Sequence, residues 1–144
     1  MNDVDELIGL WDSGPYDYGS MESSRLALLP DGSGWTEWAN AGQGMSLALL
    51  RWERLDAGQF SLTATHRFSG RWDPERPGVI VCPGPPRLLR DETRFRYELR
   101  QETPPLGNEP VESLRLDRPL EFAQEFALVQ RDVTETDRPV VTPR

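Results

Sequence analysis

The sequence predicts an all-β fold, an antiparallel up-and-down β-barrel of about eight strands, with a two-sheet β-sandwich as the alternative. Three observations predict it. Apolar and polar residues alternate with a period of two, most cleanly from Gln59 to Phe68. Turn-forming clusters separate the alternating segments, and 13 Pro and 12 Gly in 144 residues interrupt the chain too often for long helices. No strong helical segment lies between the strands, so sequential antiparallel hairpins follow, and closure into a barrel would remove their exposed edges.

The elements are read in chain order. Val4 to Ile8 suits one helical turn capped by Asp3. Gly9-Leu10-Trp11 begins a first strand, and the loop from Ser13 to Ser20 carries Tyr16 and Tyr18. A first hairpin turns at Pro30-Asp31-Gly32-Ser33, where Pro presets φ and Gly accepts a positive φ. If Leu29 pairs with Gly34, Leu28 meets Trp35 and Leu26 meets Glu37 on an inward face, while Arg25 and Trp38 form a cation–π pair outside.

A second hairpin turns at Asp56-Ala57-Gly58, a loop suited to a type I turn with a glycine bulge. That register pairs Trp52 with Leu62, Leu50 with Ala64 and Ala48 with His66, placing Phe60, Leu62, Ala64, His66 and Phe68 on one face. Residues 69–87 contain five prolines and read as irregular, with a short strand at Val79-Ile80-Val81 and a surface excursion or lid as their role. A third hairpin puts Phe95, Tyr97 and Leu99 on one face, and returns through Leu114 and Leu116 to a stop at Pro119. Glu125 to Gln130 makes the last strand. The barrel domain is therefore 1–131, and 132–144 is a polar tail expected to be disordered.

Composition excludes several chemistries. All 16 cationic residues are arginine, which rules out a Schiff-base lysine, a phosphate-loop lysine and a lysine base. One cysteine, Cys82, forbids an intrachain disulfide, and with one histidine it leaves no ordinary zinc site. No metal and no cofactor are expected. The net charge of −8 argues against nucleic acid and anionic membranes as partners. The N-terminal residues read as neither signal nor membrane span, so the expected compartment is the cytoplasm. A homodimer stays open.

Gly9-Leu10-Trp11 on the first strand is similar to the Gly-X-Trp signature of lipocalins. The stretch Leu26-Ala27-Leu28-Leu29-Pro30-Asp31-Gly32-Ser33-Gly34 resembles a hairpin of bacterial lipocalin-like (calycin-type) domains. The resemblance implies an up-and-down barrel with a ligand cavity. The chain is expected to depart from secreted lipocalins, with no signal peptide, no intrachain disulfide and no obvious C-terminal helix packed outside the barrel.

Two residues are candidates for catalysis. His66 is the one side chain whose ordinary pKa lies near neutrality, and the alternation places it on the apolar face. Glu37, placed inward, would be a buried carboxyl able to pair with it in acid–base chemistry. The expected ligand-binding set is Trp11, Tyr16, Tyr18, Trp35, Trp52, Phe60, Leu62 and Tyr97, since aromatic walls suit flat apolar ligands. The leading function is binding of a small apolar or aromatic molecule. The alternatives are a cofactor-free cyclase or isomerase on the same barrel, which the resemblance allows, and an acidic inhibitor or immunity-type protein for a basic partner.

Overall fold

Two turns of the same design set the register of the first two hairpins. At Pro30-Asp31-Gly32 and at Asp56-Ala57-Gly58 the glycine takes a positive φ, +87° and +78° respectively. In each the flanking residues close the loop with a backbone bond, Leu29 to Ser33 at 2.9 Å and Leu55 to Gln59 at 3.0 Å. Both are three-residue loops of the type I plus glycine-bulge kind.

The first hairpin therefore corrects the sequence-based register. Ser33 pairs with Leu29 rather than lying in the loop, so Leu28 faces Gly34, Leu26 faces Thr36 and Arg25 faces Glu37. A slip of one residue exchanges the faces of the whole strand. Thr36 and Trp38 turn inward, while Trp35 and Glu37 turn outward. The proposed Arg25–Trp38 contact is replaced by an Arg25–Asp12 ion pair at 3.2 Å.

The structure, a computed structural model, describes residues 5–17, 22–40 and 44–144. Its strands are β1 (Gly9–Asp12), β2 (Glu22–Leu28), β3 (Ser33–Asn40), β4 (Gly44–Arg54), β5 (Gln59–Trp72), β6 (Val79–Val81), β7 (Arg87–Glu102), β8 (Val111–Leu120), β9 (Ala123–Gln130) and β10 (Val140–Thr142). Strands β1–β5 and β7–β9 run antiparallel in chain order, and the β1–β9 and β5–β7 pairings close them into an eight-stranded barrel. Strands β6 and β10 lie outside this ring, β6 on the far end of β5 and β10 parallel to β6. At the N-terminal turn Asp5 caps Leu7 at 3.0 Å; Asp3 and Tyr18 lie outside the described residues.

The second hairpin follows the expected register from its turn as far as Leu50 and Ala64, then departs from it. Thr65 is an extra residue in β5, and the register shifts there against both β4 and β7. Its hydroxyl donates to the Leu49 carbonyl at 3.3 Å. Beyond this β-bulge Leu49 pairs with His66 and Ala48 with Arg67. A bulge re-aims every following side chain. His66 and Phe68, expected inside with Phe60, Leu62 and Ala64, are outside, and Arg67 has taken the inner position.

Two apolar clusters result, one on each side of the barrel wall. The inner one contains Trp11, Leu26, Leu28, Phe60, Phe95 and Phe126. Leu7 seals one end of it, accepting a 2.9 Å bond from the Trp11 indole, while the Arg131 guanidinium lies 5.6 Å from the Trp11 ring centroid. The outer cluster contains Ala27, Trp35, Leu47, Ile80, Cys82 and Val133. Strand β6 and the C-terminal segment cover it. The sequence reads 132–144 as a polar tail, yet this segment carries a 3-10 turn at Glu135–Asp137, with a full capping box from Thr134, and strand β10. No described helix is long and apolar enough to cross a membrane.

Candidate functional site

The inner face of the wall leaves a recess of about 190 Å³ at the end of the barrel away from Leu7. Its apolar floor is Leu50, Leu62 and Phe95, and the small side chains of Ala48 and Ala64 make the room. Polar groups converge at its rim, namely Thr36, Arg67, Asp91, Thr93 and Glu121. They come from four separate places in the chain. Thr36 reaches it through the register of the first hairpin, Arg67 through the Thr65 bulge, Asp91 and Thr93 from β7 opposite Ala64 and Leu62.

Glu121 arrives from an unusual turn. Leu120 pairs with Ala123, so Glu121-Phe122 is a two-residue loop, and both residues have positive φ, 50° and 69°. Such a loop ordinarily uses Asn-Gly, and a bulky residue there is a backbone outlier. Tertiary contacts hold it. The Glu121 carboxylate takes Arg67 Nη2 at 2.7 Å and Nη1 at 3.3 Å, a two-pronged ion pair with little exposure of the glutamate side chain. Arg67 Nη1 also donates to Ser46 Oγ at 2.6 Å, and Thr36 Oγ1 lies 3.5 Å from the same carboxylate. The Ser24 hydroxyl donates to the Glu121 carbonyl. The Phe122 ring is 74% exposed and packs against Trp38 at 5.7 Å between centroids. The Trp38 indole N–H is buried with no hydrogen-bond partner among the described residues.

The sequence-predicted site residues distribute differently. Phe60, Leu62, Trp11, Trp52 and Tyr97 belong to the inner cluster, but of these only Leu62 borders the recess. Trp52 bonds the Leu29 carbonyl at 2.8 Å near the first turn, and Tyr97 stacks edge-on to Phe60. Tyr16 lies on a 3-10 turn, Gly14–Tyr16, and its hydroxyl bonds Glu102 at 3.1 Å and Ser113. Burial pushes the Tyr16 hydroxyl pKa up. Trp35 and Glu37 sit together in the outer cluster region, with the indole donating to Glu37 Oε2 at 3.0 Å. Glu37 is 6% exposed, and burial pushes its carboxyl above the usual range, while the Trp35 bond and the nearby Arg25 charge pull it partly back. His66 shares this outer face, separated from Glu37 by β4, and its Nδ1 is 3.0 Å from Thr65 Oγ1. Neither lines the recess.

Compared with family models, curated proteins and solved structures, the chain matches none of them. The closed eight-stranded antiparallel barrel is what the lipocalin-like resemblance implied for the fold. Among the described residues no group of three or more His, Cys, Asp or Glu side chains is placed to hold a metal ion.

A wider groove lies on the outer face, bounded by Leu47, Leu49, Phe68, Val140 and Val141. One of its walls is the C-terminal segment, tied down by the three residue pairs of β10 with β6. The recess is bounded instead by the ladders of the closed barrel and has an ion pair fixed at its rim. That makes it the better-built candidate. Arg67 and Glu121 were not singled out from the sequence. Nothing at Thr65 marks a bulge, and Glu121-Phe122 carries no turn signature.

Proposed function

We propose that this protein binds a small, mainly apolar molecule inside its barrel. The observation that carries the reading is the recess itself, an apolar floor of Leu50, Leu62 and Phe95 beneath a few converging polar groups. That combination is the usual make-up of a small-molecule site. Its volume sets the size of the guest. Apolar cavities of about 150 Å³ hold benzene, so a recess of about 190 Å³ suits one ring with a short substituent.

The test is a titration of benzamide, a neutral ring with one polar group, followed by NMR or calorimetry. Ala64→Phe should fill the recess and weaken binding by about tenfold or more, because overpacking leaves no room for the ring. Ala64→Ser, which keeps the volume, should bind nearly as the parent does. Equal binding by the parent and the folded Ala64→Phe variant would overturn the reading.

A further inference from the structure

The Arg67 fork already holds a carboxylate, and that carboxylate belongs to the protein. Its two guanidinium nitrogens meet the two oxygens of Glu121 at 2.7 and 3.3 Å. This is the geometry in which arginine recognises carboxylates in general. Ser46 Oγ accepts from Nη1 at 2.6 Å, a contact from the barrel wall that is independent of Glu121 and holds the guanidinium when its carboxylate partner changes. Among the described residues Arg67 is the one cation on the recess lining.

The turn that delivers Glu121 is held by tertiary contacts, the Arg67 fork and the Ser24 hydroxyl among them, rather than by its own ladder. Two consecutive residues other than glycine hold positive φ, and the β8–β9 ladder is irregular between Arg115 and Leu120, with a single residue pair, Leu120 with Ala123, at the tip. Phe122 is largely exposed, so displacing it uncovers little apolar surface. Strained backbone of this kind persists where surrounding contacts impose it, and such places cluster at ligand clamps and switches.

Resting on the reading of the recess as a small-molecule site, we propose that its ligand is a small carboxylic acid with a one-ring apolar body, and that Glu121 is an internal competitor the ligand displaces from Arg67. The ligand's ring would lie on Leu50, Leu62 and Phe95, and its carboxylate would take over the Arg67 fork. The freed tip, Glu121-Phe122, moves toward solvent and relaxes. An amine is the less favoured ligand. Both oxygens of Glu121 are engaged by Arg67, and Asp91, the other carboxylate on the lining, is exposed to screening solvent.

Benzoate, benzamide and benzylamine, titrated at neutral pH into the parent, Glu121→Gln, Glu121→Gly and Arg67→Met, test this. Glu121→Gly removes the competitor and suits the positive φ, so it guards against a variant that fails to fold. Removing an internal competitor raises the competent fraction, so benzoate should bind both Glu121 variants about tenfold tighter than the parent. Benzamide should change by less than about twofold, since it does not compete for the charged fork. Arg67→Met should weaken benzoate by a much larger factor than benzamide. Benzoate affinity unchanged in both Glu121 variants, or benzylamine as the preferred probe, would overturn the proposal while leaving the recess as a binding site. Failure of all three probes on the parent and on both Glu121 variants would overturn both readings.

Discussion

Two glutamates in this barrel, one buried and one partly buried, are shielded from solvent by different means. Glu37, on the outer face of β3, is 6% exposed and has a neutral indole N–H for its hydrogen-bond partner. Glu121, at the recess, has a side chain 13% exposed and a guanidinium held by both prongs. Glu37 sits on ordinary strand backbone, whereas Glu121 is presented by a turn whose φ values favour glycine. A carboxyl that meets only a neutral donor accommodates burial by becoming easier to protonate. A carboxylate that meets a fixed cation forms an ion pair, and that pair can offset backbone strain. The difference teaches where a site is to be sought: at the buried charge whose presentation costs the chain something.

The comparison can be broken in four ways, from the largest expected effect to the smallest. Arg67→Met leaves Glu121 at the rim without its cation, and should destabilise by about 1–2 kcal/mol, below the figure for fully buried pairs because the arginine is partly exposed. Urea unfolding measures it, and no change would mean that the pair does not hold the turn. Glu121→Gln keeps hydrogen-bond capacity but removes charge, and should cost about 1 kcal/mol in the same assay. Phe122→Gly should instead stabilise by about 0.5 kcal/mol, since it relieves a positive φ and gives up an exposed ring, net of the glycine's extra unfolded-state entropy. A loss of stability there would show that the Trp38 contact outweighs the strain.

Glu37→Gln should have the smallest effect and the opposite sign to Glu121→Gln at neutral pH. The folded-state pKa of Glu37 is raised above the unfolded value. The folded protein thus binds more protons there, and stability from this group is full below the unfolded pKa and is lost as pH rises through the folded one. The variant lacks that loss, so its melting temperature should exceed the parent's at pH 7, and the gap should close below about pH 4. A gap that does not depend on pH would mean that Glu37 is not responsible.

Much of the fold was legible because turn chemistry is local. Pro30-Asp31-Gly32 and Asp56-Ala57-Gly58 both announce hairpins, and the second turn dictates its register up to Ala64. The first was read one residue out because Ser33 also looks like a turn residue, and this alone moved Trp35 and Glu37 to the wrong face. The bulge was hidden for a different reason. His66 and Phe68 continue the apolar alternation because the outer face is also apolar beneath β6 and the C-terminal segment, so nothing in the pattern separates inside from outside. Val133, buried in the outer cluster, and Val141, packed against it, anchor a segment whose average composition is polar. Glu121-Phe122 was illegible because long-range contacts, rather than turn propensity, set its conformation.

The central claim is that the inner face of β4 and β5 lines the binding site. Methyl-resolved NMR of the parent protein with benzamide tests it most directly. The account predicts intermolecular Overhauser contacts from the ring to the methyls of Ala48, Leu50, Leu62 and Ala64, and none to those of Leu47 and Leu49. Contacts confined to Leu47, Leu49 and Val141 would place the ligand in the outer groove and contradict it.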